Sequence, residues 1–409
     1  MTDILTPRDA KEVEAAVQWA LGAARALEIV GHGSKRAIGR PAQTDLTLDL
    51  ASLSGVTLYE PDELVLSAKA GTSLADIEAL VASKGQQLAF EPMDYAPLLG
   101  TTAGRGSIGG ALATNLAGPR RIKAGAARDH FLGFSAVSGR GETFKSGGRV
   151  VKNVTGYDLC KLMAGSFGTL AAMTEVTIKV LPRPETEATV ILTGLDDAAA
   201  VRAMTAAMGS SCDVSGAAHL PLGVAVRIPL GEAVASGRAL TALRLEGVAP
   251  SVAHRKAALL ALLRPFGEVA AIDELVSRNL WRAVRDVTPF AANRTGADEP
   301  LWCISTAPAK GAELASMITG VADAEVLYDW AGGRLWVLVH ADDAAAALVR
   351  RAVKVCGGHA TLLRAPAAMR AAADVFEPPE AALAALTKRV KDSFDPKGVL
   401  NPGRMWPGV

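Results

Sequence analysis

Leu27-Glu28-Ile29-Val30-Gly31-His32-Gly33-Ser34-Lys35 is the stretch on which the reading of the fold turns. The first four residues form a short run that reads as a strand, and the chain then breaks into two glycines within three residues. Glycine lets main chain come close to a phosphate, and successive N–H groups in such a turn make a concave anion site. Ser34 adds a hydroxyl donor and Lys35 a positive charge. An ordinary strand-to-loop turn would use the same residues, so the loop points to phosphate binding only if other segments join it.

Two further glycine-rich segments follow. One is Gly106-Ser107-Ile108-Gly109-Gly110-Ala111-Leu112-Ala113-Thr114-Asn115-Leu116-Ala117-Gly118, within a window, 100–118, where six of 19 residues are Gly. Small residues over this length let an extended or flat ligand lie against main chain, with Ser107, Thr114 and Asn115 as hydrogen-bonding groups; a tightly packed helix approach would have the same composition. The other is Gly165-Ser166-Phe167-Gly168-Thr169-Leu170, leading into Thr174-Glu175-Val176, which a plain loop before a strand would also explain. Gly104-Arg105-Gly106-Ser107-Ile108-Gly109 fits GxGxxG, the nicotinamide dinucleotide fingerprint. That fingerprint requires a strand just before it, and Glu91-Pro92-Met93-Asp94-Tyr95-Ala96-Pro97 supplies none.

Around these segments, Val13, Ala16, Val17, Ala20, Leu21 and Ala24 recur at helical spacing behind Thr6-Pro7, which reads as a cap and first helical residue. Leu46, Leu48 and Leu50 alternate as in a half-buried strand, and Leu64–Ala68 reads as another. Thr72-Ser73 opens a helix to Lys84, with Asp76 completing a partial capping box. Phe131–Phe144 reads as a hairpin turning at Gly139-Arg140-Gly141, and Ala171–Val180 as a strand. Leu181-Pro182-Arg183-Pro184 stops regular structure and marks a boundary. Beyond it, strands (188–192, 224–228, 301–305, 360–364, and a hairpin over 326–339) alternate with helices (196–208, 252–263, 312–321, 344–355), the pattern of an α+β domain with antiparallel sheet. A last helix, Leu383–Phe394, precedes Asp395-Pro396-Lys397-Gly398-Val399-Leu400-Asn401-Pro402-Gly403-Arg404.

The 409 residues suffice for two domains. Lys plus Arg number 43 and Asp plus Glu 42, so no basic excess points to nucleic acid or to an anionic membrane. Cys160, Cys212, Cys303 and Cys356 are too far apart in sequence for a zinc or iron–sulfur motif and read as free thiols in a reducing compartment. The N-terminal residues show no signal peptide, and the longest stretch without a charged residue, Gly106–Pro119, is 14 residues long, short of the roughly 20 apolar residues a spanning helix needs. The expected location is the cytoplasm, with membrane association only through partner subunits.

In this order, the three glycine-rich sites resemble the FAD-binding domain of the vanillyl-alcohol oxidase superfamily, the p-cresol methylhydroxylase (PCMH) type. Val151-Lys152-Asn153-Val154-Thr155-Gly156-Tyr157-Asp158-Leu159 and the terminal Asn401-Pro402-Gly403-Arg404-Met405 are similar to the branch acting on 2-hydroxy acids. Ala113–Arg121, Gly125-Ala126-Ala127-Arg128-Asp129 and Gly357–Arg364 are similar, more narrowly, to the FAD-binding subunits of glycolate oxidases. The resemblance implies an α+β fold: a PCMH-type two-subdomain FAD-binding domain over residues 1–184, an α+β cap over 185–365, and a C-terminal helix and tail over 366–409 returning to the first domain. It implies that Gly31, His32, Gly33, Ser34 and Lys35 hold the FAD pyrophosphate. Gly106, Ser107, Ile108, Gly109, Thr114, Asn115 and Gly118 would line the ribityl and isoalloxazine path. Gly165, Gly168, Thr169 and Glu175 would hold the adenosine half, and Asn401 would return near the flavin.

It also implies a heteromeric glycolate oxidase or dehydrogenase, with a sister catalytic flavin subunit and an iron–sulfur subunit as partners and a small 2-hydroxy acid as substrate. Two departures matter. Gly33 stands where some members carry a flavin-linked His, so FAD is expected to be non-covalent, with His32 a local hydrogen-bond group. The HxGDGNxH metal motif of the catalytic flavin subunits is missing: the six His, at 32, 130, 219, 254, 340 and 359, are scattered. No metal site is expected, no catalytic residue is assigned, and His359 reads as structural. Two alternatives stay open. A self-sufficient dehydrogenase would need Arg120, Arg121 or Arg364 to hold a substrate carboxylate, and an assembly subunit would keep only a vestigial flavin site.

Overall fold

A computed structural model of the chain describes every residue except 1–2, 42, 150–155, 231–236, 297 and 342; the Val151–Thr155 part of the motif quoted above lies outside the described residues. Contacts between Cα atoms divide the chain into two compact units, one of residues 1–117, 125–183 and 378–409, the other of residues 118–124 and 184–377.

In the first unit the strand Leu27–Val30 lies in a small parallel sheet beside Leu46–Asp49, which is flanked on its other side by Asp3–Leu5. The central strand is buried along Leu46, Thr47 and Leu48, not half-buried as its alternation suggested, because neighbours cover both of its edges and the helix Ala10–Ala23 packs on it through Val13, Val17 and Ala20. That helix starts later than Thr6-Pro7 indicated. Asp9 is the cap, its carboxylate accepting the N–H groups of Lys11 and Glu12, which a threonine hydroxyl would do more weakly. A second sheet of five antiparallel strands runs in the order Val56–Glu60, Val65–Lys69, Ala171–Lys179, Phe131–Ser138, Thr143–Gly147, with the expected hairpin at its edge. The helix Leu74–Ala82 has no capping box: Ser73 makes no side-chain cap, and the first helical amide, Leu74 N–H, donates instead to the Gly106 carbonyl at 2.9 Å. Val399 and Leu400 of the tail complete the core under the parallel sheet.

The second unit is one antiparallel sheet of eight strands, in the order Val269–Ile272, Thr186–Thr193, Leu240–Gly247, Gly216–Leu220, Ala324–Asp329, Arg334–Val339, Leu301–Ser305, His359–Arg364. The helices Asp197–Met208 and Ala249–Leu263 lie on its core, and Glu274–Arg285 buries Leu280, Trp281 and Val284. The strand expected at 224–228 is instead a helical turn, Leu222–Ala225, followed by a bend. Pro221 at its N-cap fixes φ near the helical value and has no N–H to offer a ladder.

Candidate functional site

The parallel strand Leu27–Val30 delivers Gly31 directly against Ser107, where a Cβ on Gly31 would stand 2.6 Å from the Ser107 hydroxyl. No other residue lets the two segments come this close. At Gly33 the backbone is left-handed, φ +75°, and the space beside its Cα is open, so the peptide faces a void rather than a packed wall. His32 Nε2 donates to the Gly71 carbonyl at 2.8 Å, which sets the tautomer and ties the ring to the neighbouring turn. Lys35 Nζ donates to Ser34 Oγ at 3.1 Å. Burial pushes the Lys35 ammonium down to about 8, against the pull of the Asp94 carboxylate and with the help of Arg404.

These groups edge a cavity that lies wholly within the first unit. One wall is Gly31–Arg36. A second is the helix Ile108–Ala113 with its flanks, presenting Ser107, Gly109, Gly110 and Thr114, and a third is Phe167 and Gly168. Ile29, Leu50, Ala70, Ala113 and Met173 make an apolar lining. The loop 30–34 also borders a second concavity with Thr47, Asp49, Thr101 and Arg105. Main-chain amides, three hydroxyls and an ammonium beside an apolar slot suit an anionic linkage joined to flat aromatic rings, the chemistry of a flavin dinucleotide.

Of the residues expected from sequence, Gly31, His32, Gly33, Ser34, Lys35, Ser107, Gly109, Thr114 and Gly168 are brought to this cavity. The others stand elsewhere. Gly106 gives its carbonyl to Leu74, and Ile108 is fully buried with its N–H on the Thr72 carbonyl. Asn115 accepts from Arg128 N–H, and the Gly165 N–H donates to the Leu112 carbonyl. Thr169 is buried, its hydroxyl on the Ser166 carbonyl, and Glu175 sits in the antiparallel ladder opposite Lys69 and Ser135. Gly118 belongs to the second unit, where its carbonyl accepts Trp330 Nε1–H at 3.0 Å. Asn401 is completely buried. The apolar lining and Arg404 were not named as site residues. Gly110 and Arg404 lie inside quoted motifs, but Leu50, Ala70 and Met173 look like any strand residue.

In the second unit the three arginines considered for a substrate carboxylate are engaged. Arg120 makes a forked pair with Glu246 at 2.7 and 3.0 Å, Arg121 stacks on Trp330, and Arg364 donates to the Glu299 and Phe290 carbonyls and to Thr295. His359 is exposed at the start of its strand, paired with Ser305. Among the described residues no group of three His, Cys, Asp or Glu is arranged to hold a metal ion, and no helix is long and apolar enough to cross a membrane.

Comparison with known proteins agrees with the geometry. Residues 3–147 match the family model described as an FAD binding domain. The chain is 34% identical over 381 residues, 93% of its own length and 92% of the relative's, to glycolate oxidase subunit GlcE of Escherichia coli (strain K12). It is 24% identical over 399 residues to glycolate oxidase subunit GlcD of Bacillus subtilis (strain 168), covering 90% of this chain and 80% of that one. Among solved structures, p-cresol methylhydroxylase with substrate bound superposes with a TM-score of 0.72 over 99% of this chain and 88% of the other at 12% identity, so the PCMH-type fold is shared.

Proposed function

We propose, from the premise that this chain belongs to the glycolate oxidase subunit family of FAD-dependent oxidoreductases, that it is the FAD-binding subunit of a heteromeric complex oxidising glycolate to glyoxylate. Its partners in this reading are a sister flavin subunit that carries the substrate chemistry and an iron–sulfur subunit that takes the electrons onward. The observation that carries the reading is the single cavity on which the turns at 31–35, 107–114 and 167–168 converge. When bound, FAD supplies a two-electron acceptor. The protein's part is to bind and orient it: the amides of 31–34 with Ser34 and Lys35 hold the pyrophosphate, and the apolar slot keeps water from the rings.

No side chain at Gly33 is available for a flavin link, and His32 is committed to Gly71, which supports non-covalent binding. The purified chain is expected to be yellow and to release all of its flavin on denaturation. A colourless chain that cannot be reconstituted with FAD removes the proposal, and flavin that stays with the denatured polypeptide removes the non-covalent part. Turnover of glycolate with an artificial acceptor should require the copurified partners.

Lys35 makes the binding pH-dependent. Its ammonium, lowered to about 8 in the free site, is restored toward its ordinary value by a pyrophosphate beside it. FAD binding then takes up a proton above pH 8. Affinity is full below that pH and falls as pH rises through it, by at most about tenfold per unit. Fluorescence titration of the apoprotein with FAD between pH 7 and 9.5 reads the slope. Lys35→Met should bind more weakly at pH 7 and show a flat profile; an unchanged profile assigns the pyrophosphate elsewhere.

A further inference from the structure

The C-terminal tail is built into the walls of the cavity. Asn401 is fully buried in a left-handed conformation, φ +44°. Its Oδ1 accepts the Ile29 N–H at 2.8 Å and its Nδ2 donates to the Phe167 carbonyl at 2.7 Å. Its own N–H donates to the Leu27 carbonyl at 2.9 Å, while Leu27 N–H donates to Val399 at 2.7 Å. Both ends of the amide are engaged with main chain, and the residue is fully buried. The segments it joins are the strand that ends in the 31–35 loop and the turn that presents Phe167 and Gly168. Three residues on, Arg404 Nη2 donates to the Lys35 carbonyl at 2.9 Å, and the Arg404 carbonyl accepts Arg40 N–H.

We propose that Asn401 is a positioning residue for FAD: by bridging Ile29 and Phe167 it sets the separation of the phosphate loop from the opposite wall and so decides how tightly the cofactor is held. The inference rests on the FAD-binding reading above. The amide accepts from one wall through its oxygen and donates to the other through its nitrogen. A carboxylate would set an oxygen against the Phe167 carbonyl, and glycine would keep the backbone conformation while deleting the bridge.

The test is FAD affinity of the full chain as Asn401→Gly and Asn401→Asp. The comparison variant is Thr241→Val, which removes a buried hydrogen bond to His219 in the second unit and lowers melting temperature without touching the cavity. The expected result is a loss of about tenfold in FAD affinity for both Asn401 variants and less than about twofold for Thr241→Val. Affinity within about twofold of the parent in Asn401→Gly, or an equal loss in Thr241→Val, overturns the proposal. If the Asn401 variants do not fold, hydrogen exchange on the parent protein decides. Coupling is reciprocal, so FAD must slow exchange at Ile29 and Asn401 beyond any change in the strand Thr186–Thr193, and no such difference sinks the idea. A parent protein that binds no FAD removes the FAD-binding reading itself and this inference with it.

Discussion

Glu246→Ala is expected to destabilise the protein by about 3–5 kcal/mol, the usual cost of stripping one partner from a buried ion pair. Glu246 lies near the end of the strand Leu240–Gly247 with its side chain 8% exposed. Burial alone would raise its carboxyl. Arg244 and the forked contact from Arg120 outweigh that and bring it down to about 2. Removing the carboxylate takes an acidic partner from the nearly inaccessible Arg244 guanidinium and cuts the forked hold of Arg120 in the segment 118–124. The pH dependence has a definite sign. The folded value lies below the ordinary 4.5, so the contribution is complete above pH 4.5 and disappears as pH falls toward 2, amounting to about 3 kcal/mol at 1.36 kcal/mol per pH unit. Urea unfolding of the parent and of Glu246→Gln at pH 7, 4 and 3 isolates it: the difference between them should shrink steadily with acidification. A difference independent of pH would show that the carboxylate is not held in its charged form by the two arginines.

Asp395→Ala is expected to cost a similar amount, about 3–5 kcal/mol, and to do so through the tail. Asp395 is inaccessible and accepts from Lys391 Nζ at 2.6 Å and from the Val399 and Leu400 N–H groups at 2.9 and 2.8 Å. Lys391, equally buried, also donates to the Thr169 and Leu400 carbonyls at 2.6 and 2.9 Å. Burial pushes the Lys391 ammonium down and Asp395 pulls it back. Replacing a buried ion pair by apolar residues is often harmless, but here it would orphan two amides and two carbonyls as well. Lys391→Met/Asp395→Leu is therefore expected to recover little of the loss. A thermal-unfolding cycle of the two single variants and the double one measures this, and full recovery in the double variant would show that the charges, not the main-chain bonds, matter.

The 31–35 loop, the 131–144 hairpin and the 395–404 tail could be read from sequence because each is local. A turn residue or a motif states its own conformation, and the apolar spacing of Val13, Val17 and Ala20 states which face is inward. The strand Leu240–Gly247 escaped because it is buried on both faces, so Arg244 and Glu246, which read as exposed positions, are buried with the rest. The helix Glu274–Arg285 was overlooked although its buried residues recur at helical spacing. Thr6 was read as the cap because Pro7 follows it, while Asp9 competes two residues later with a better acceptor. In the site, glycines and hydroxyls could be read from their chemistry. Leu50, Ala70 and Met173 could not, since only the meeting of two sheets makes them a wall. Asn401 looked like a ligand for the same reason: sequence shows which group is present, not which neighbours have already used it.

The first unit is made of three pieces of chain, and the last begins only at Pro378. Leu27 cannot fill its hydrogen bonds, nor Phe167 meet Asn401, until Val399 and Asn401 have been made and folded back. The wall that Asn401 closes is therefore completed only after the residues of the second unit, which precede Pro378, have been made. A product cut at the apparent boundary near residue 184 would carry the glycine turns and still lack the piece that closes them, so expressing the amino-terminal part alone is a poor route to a yellow protein.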